Sequence, residues 1–156
     1  MSTSQEIMSQ KVIRFGLACA AMVAAATVVA AAPAHAGMDA SYVGVSLGAT
    51  TDVGLDDVLV GLDGRLKFQN TPLSARATVY PFDGGGVQLT ATLDGAIGPT
   101  TGAYIGGGVL LDDISSPVVQ VGLETKLGSN GVLYGGLDYL TRYETVVGKI
   151  GVGYSF

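Results

Sequence analysis

The chain of 156 residues contains one cysteine, Cys19, and one histidine, His35, so the side chains most used for nucleophilic and proton-transfer chemistry occur once each. Both fall within the first 36 residues, and residues 37–156 contain neither. Disulfides, cysteine nucleophiles, histidine triads and His/Cys zinc sites are therefore excluded there. The remaining candidates are carboxylates. The adjacent pairs Asp56-Asp57 and Asp112-Asp113 have the oxygen chemistry to collect Ca²⁺ or Mg²⁺, but no spaced loop of the EF-hand kind surrounds them, and solvated loop charge is the plainer reading. Gly84-Gly85-Gly86 follows Asp83 as a hairpin turn would; a phosphate cradle needs a helix N-terminus after it. Other acids alternate with bases that would satisfy them, so no carboxylate pair is set apart for glycoside cleavage. No catalytic, cofactor-binding or metal-ligating residue is expected.

Residues 1–14 are polar and carry Lys11 and Arg14, and Phe15 to Ala32 run without a charge. Pro33 then precedes Ala34-His35-Ala36, with small residues at the two positions a signal peptidase reads. This predicts a signal peptide over 1–36 with cleavage before Gly37. Alanine makes the apolar stretch weakly hydrophobic, which disfavours an uncleaved anchor. Without Glu6, Lys11 and Arg14, the 13 acidic and 8 basic residues become 12 and 6. That acidic balance argues against a nucleic-acid partner relying on phosphate neutralisation.

After residue 37 the apolar residues recur with period two, not 3.6, so strands must position whatever the chain presents. Breaks at Gly, Pro, Asn and Asp clusters leave eight segments: 41–50, 58–69, 73–82, 86–96, 102–111, 117–127, 132–142 and 146–156. Ten residues, at a rise of about 3.3 Å and a tilt near 40°, span about 25 Å, the height of a membrane barrel's apolar band. Residues 37–156 are thus expected to form an all-β, eight-stranded antiparallel up-and-down transmembrane β-barrel.

Each segment has one apolar face, such as Val43, Val45, Leu47 and Ala49 in the first and Val87, Leu89, Ala91 and Leu93 in the fourth. The opposite face carries every strand charge: Asp63, Arg65, Lys67, Arg76, Asp94, Glu124, Lys126, Asp138 and Lys149. Alternation alone does not say which face points outward. A soluble secreted barrel turns the apolar face to a ligand cavity, whereas a membrane barrel turns it to lipid. Glycine favours the membrane form. Gly44, Gly48, Gly61, Gly106, Gly108, Gly122, Gly136, Gly151 and Gly153 share the charged face. On a solvent-exposed strand each costs about 0.5 to 1 kcal/mol relative to Ala; inside a barrel they make room for the Arg and Lys side chains opposite.

The leader, the eight period-two segments and the terminal Gly153-Tyr154-Ser155-Phe156 resemble the small eight-stranded outer-membrane β-barrel proteins of Gram-negative-type bacteria. The resemblance implies a place in the cell outer membrane, contact with outer-membrane lipid, and an assembly signal made of Ile150, Val152, Tyr154 and Phe156 that the outer-membrane assembly machinery reads. Such proteins usually carry long extracellular loops, and here every connection is short, so adhesion and receptor roles are not carried over. Lipid A enzymes of this architecture rely on His, which is absent after residue 36.

With both ends periplasmic, the outer connections 51–57, 83–86, 112–117 and 142–145 hold Asp52, Asp56, Asp57, Asp83, Asp112, Asp113 and Glu144 against Arg142 alone. This acidic outer rim is a place where divalent cations could gather. Tyr42, Phe68, Tyr80, Phe82, Tyr143, Tyr154 and Phe156 lie near strand ends, as an interfacial girdle needs, although aromatics favour strands in any case. Three functions stay open: a non-catalytic structural or envelope-related barrel whose charged residues fill the lumen, a narrow outer-membrane pore of porin-like kind, and a secreted soluble barrel binding an apolar ligand.

Overall fold

Alternation of this kind puts side chains on two opposed faces, and burying one face requires the strands to associate. In a computed structural model, which describes residues 39–50, 58–82 and 85–156, they do so as β1 (Tyr42–Thr50), β2 (Val58–Lys67), β3 (Leu73–Tyr80), β4 (Gly86–Ala96), β5 (Thr101–Leu111), β6 (Ser116–Leu127), β7 (Gly131–Leu140) and β8 (Thr145–Ser155). The leader over 1–36 and the rim acids Asp52, Asp56, Asp57 and Asp83 lie outside the described residues.

Three strands stop two residues before their expected ends, each for a local reason. β2 gives way to a turn in which Asn70 adopts φ 59°. β3 ends at Tyr80 because Pro81 has no N–H to continue a ladder. β7 ends at Leu140, where Thr141–Glu144 turn back with Glu144 at φ 50°.

Every strand pairs antiparallel with the next, and β1 pairs with β8 from Tyr42↔Ser155 to Thr50↔Val147, closing an eight-stranded barrel. Closure matters because an open edge would leave a row of unpaired backbone N–H and C=O groups. The start of β1 and the end of β8 lie at the same mouth as the β2–β3, β4–β5 and β6–β7 turns; we call this the terminal mouth and the other the distal mouth.

The polarity of the wall is inverted relative to a water-soluble domain. Val43, Leu47, Leu66 and Ile150 are 55%, 55%, 59% and 60% exposed, whereas Arg65, Glu124 and Asp138 are 1%, 2% and 0% exposed. Among the described residues the apolar face is outside and the charged face inside, the reverse of the lipocalin arrangement. The interior is not uniformly polar, however. Leu110, Val118, Leu140 and Val147 form a buried cluster, with Leu59 and Tyr80 packed against it. These residues occupy the distal ends of their strands on the same face as the charges, so the lumen has an apolar layer at one mouth and an ionic layer towards the other.

Candidate functional site

The densest polar constellation is the ionic layer. β2 brings Arg65 and Lys67, β3 Arg76, β4 Asp94 and β6 Glu124, all on the inward parity of their strands near the terminal mouth. The Arg65 guanidinium reaches Glu124 Oε1 at 2.7 Å and Asp94 Oδ2 at 2.8 Å, and its Nε donates to Ser74 Oγ at 3.1 Å. Arg76 bonds Glu124 Oε2 at 3.0 Å and approaches Asp94 Oδ1 at 3.4 Å, while donating to Tyr42 OH and Thr92 Oγ1. Its guanidinium carbon lies 3.6 Å from the centre of the Tyr104 ring, a cation–π contact. Asp94 also accepts hydrogen bonds from Ser74 and Thr92 and pairs with Lys67 at 3.3 Å. Two arginines and two carboxylates crossing the lumen in this way tie four strands together. Planar guanidinium forks suit such a crossing better than ammonium groups would.

The other inward charges form a second, smaller group. Lys149 Nζ lies 2.8 Å from Asp138 Oδ2, which also accepts from Gln88 Nε2 at 2.9 Å, and Tyr80 OH donates to Gln88 Oε1 at 3.4 Å. Asp138 Oδ1 is buried without a hydrogen-bond partner. Asp63 stands apart from both groups: Thr78 Oγ1 donates to one of its oxygens at 2.7 Å and Tyr134 OH to the other at 3.0 Å.

Lys126 departs from expectation. It has inward parity on β6, but two residues beyond Glu124 it emerges exposed at the terminal mouth, outside the cluster. Without it the interior holds Arg65, Lys67, Arg76 and Lys149 against Asp63, Asp94, Glu124 and Asp138, a neutral set.

The aromatic girdle also needs correction. Tyr42 is 2% exposed and stacks on Tyr134 with ring centres 5.0 Å apart, and Tyr80 turns inward against the apolar layer. Phe68, Tyr154 and Phe156 are exposed at the terminal mouth, and Phe82 and Tyr143 at the distal one. The nearest neighbours of the inward glycines are chiefly backbone carbonyls of adjoining strands and, at Gly44, Gly122, Gly136, Gly151 and Gly153, tyrosines, not the Arg and Lys side chains expected. A Cβ at Gly136 would lie 2.7 Å from Tyr104 OH, one at Gly151 would lie 2.5 Å from the Tyr134 ring, and one at Gly122 would strike Tyr104. Inward Tyr104, Tyr134 and the apolar layer are the components that the sequence analysis did not single out.

Ile150, Val152, Tyr154 and Phe156 form one exposed row on the outer face of β8, and the backbone N–H of Phe156 donates to Ser41 O at 3.0 Å. At the distal mouth Asp112 and Asp113 are exposed, and the Asp113 N–H donates to Asp112 Oδ1. Among the described residues no three His, Cys, Asp or Glu converge as a metal site.

No family model matches this chain, and no curated protein does. Solved structures do. A de novo designed transmembrane β-barrel superposes with a TM-score of 0.64 at 16% identity, covering 76% of this chain and 96% of that one. The designed barrel TMB2.3, solved by solution NMR, gives 0.60 at 15% identity, covering 78% and 98%. The Yersinia pestis outer membrane protein Ail in a phospholipid bilayer nanodisc gives 0.51 at 16% identity, covering 76% and 99%. These likenesses show the fold: the closed eight-stranded architecture is that of transmembrane β-barrels.

Proposed function

We propose that the chain is an integral outer-membrane β-barrel that acts without catalysis in a structural or envelope-related role, its lumen closed by its own side chains. The observation that carries this is the inverted wall: aliphatic residues such as Leu47, Leu66 and Ile150 are exposed while the arginines and carboxylates are buried. In water such a surface would be an aggregation liability well beyond the few hundred Å² of apolar patch usual on a soluble monomer. In lipid it is the required solvent-facing side, and ring closure satisfies the backbone. Lipid is therefore the first partner, and the β8 row ending at Phe156 is the element we assign to the assembly machinery.

Conduction is disfavoured by the filling of the lumen. The space between Tyr42, Asp63, Arg76, Tyr104, Tyr134 and Lys149 amounts to about 10 Å³, about what one water needs. A soluble binder is disfavoured because the large aliphatic residues of the outer face, such as Val43, Leu47 and Ile150, are exposed instead of lining an interior. Fractionation of cells expressing the full chain tests the location, with outer-membrane recovery and a gel shift between unheated and boiled samples as the expected result. Recovery in the soluble periplasmic fraction would overturn it. Planar-bilayer recording separates the closed barrel, expected to be silent, from a pore with steady unitary currents.

A further inference from the structure

We propose that the centre of the lumen is a water-binding site, in which one ordered water joins the Lys149 ammonium to the Asp63 carboxylate and so links the two charge groups into one network. The cavity is of the right size and kind. Its volume of about 10 Å³ meets the minimum for one water, and Asp63, Thr78, Tyr134 and Lys149 all line it with polar groups, enough for the two to four partners a buried water needs.

The hydrogen-bonding capacity of those groups points the same way. An ammonium has three donors, and the pair with Asp138 uses one of them. A carboxylate accepts about four hydrogen bonds, and Asp63 takes one at each oxygen, from Thr78 and from Tyr134. Lys149 is too far from Asp63 for a direct ion pair, yet both face the same space.

Charge balance supplies the third argument. Arg65, Lys67 and Arg76 against Asp94 and Glu124 leave the ionic layer one positive charge in excess. Lys149 and Asp138 cancel, and Asp63, which stands apart from both groups, leaves one negative charge in excess on the other side. Separate charged layers in a low-dielectric interior are unfavourable, and a polar link across the gap lowers that cost. On one side the link already exists: Tyr42 accepts from Arg76 and stacks on Tyr134, which donates to Asp63. A water between Asp63 and Lys149 completes it to Asp138.

The test is a crystal structure of the full-length-processed or intact protein in detergent, at a resolution where buried waters are visible. The expected map has one peak within about 3.2 Å of both Lys149 Nζ and an Asp63 oxygen. A direct Lys149–Asp63 contact, or no peak there in a map that shows other waters, overturns the site. Unfolding rates in detergent of Asp63→Asn, Lys149→Gln and the double variant test the bridge. The double variant should unfold about tenfold more slowly than the product of the single effects requires; multiplying effects would overturn the link.

Discussion

The two ends of the lumen solve the same packing problem with opposite chemistry. Towards the terminal mouth, Arg65 and Arg76 cross to Asp94 and Glu124, and hydroxyls of Ser74, Thr92 and Tyr42 take up further bonds. At the distal mouth, Leu59, Tyr80, Leu110, Val118, Leu140 and Val147 fill the space with apolar side chains. The apolar layer is tolerant, since a lost methyl group removes only contacts and leaves a void. The ionic layer is not, because each charge there depends on its partners and a lost partner leaves a charge buried and uncompensated. If the outside of the wall meets lipid as proposed, only the interior is free to vary, and this chain divides that interior between an ionic cross-link and an apolar layer.

The comparison can be broken most sharply at Glu124. Glu124→Leu removes one of the two carboxylates that both arginines share, leaving Asp94 alone against them, and should destabilise the folded barrel by about 3 to 5 kcal/mol, read from urea unfolding in detergent micelles. Leu110→Ala in the apolar layer should cost less, about 2 to 3 kcal/mol, because it leaves a cavity and no charge. If the two variants lose the same amount, the ionic layer is hydrated and the contrast between the layers is false.

Gly122→Ala sharpens the contrast from the side of shape. Its new methyl group would strike Tyr104, for an expected loss of about 1 to 3 kcal/mol, and Tyr104→Leu in the same background should recover part of it. The smallest effect is expected for Asp112→Asn on the exposed distal rim, within about 0.5 kcal/mol in the same unfolding measurement. A large loss there would mean that the rim acids are structural.

Much of this was legible in the sequence. The strand bounds and the two faces follow from period-two alternation, and glycine on the charged face chose the outward side. Inward Tyr42 and Tyr80 were legible by parity too, because Val43 and Val79 beside them belong to the apolar face. Their position near strand ends nevertheless suggested a girdle. The apolar layer carried a similar signal, since Leu59, Leu110, Val118, Leu140 and Val147 share parity with the charges. Depth was not legible. Lys126 and Glu124 have the same parity, and only the end of the ladder at Leu127 shows that one emerges and the other is buried. Pairing was not legible either, because which acid meets Arg65 depends on the stagger of strands around the barrel.

The central claim is that the apolar face meets lipid, and Leu89 near the middle of β4 tests it most directly. The measurement is folding into phospholipid vesicles, followed by the shift between unheated and boiled samples, for the wild type and Leu89→Arg. For a membrane barrel, Leu89→Arg should weaken membrane folding by about 2 to 4 kcal/mol, as expected for arginine near a bilayer midplane. Vesicle folding of Leu89→Arg equal to wild type, with the variant more soluble in buffer, would contradict the claim and mark the outer face as one that meets water.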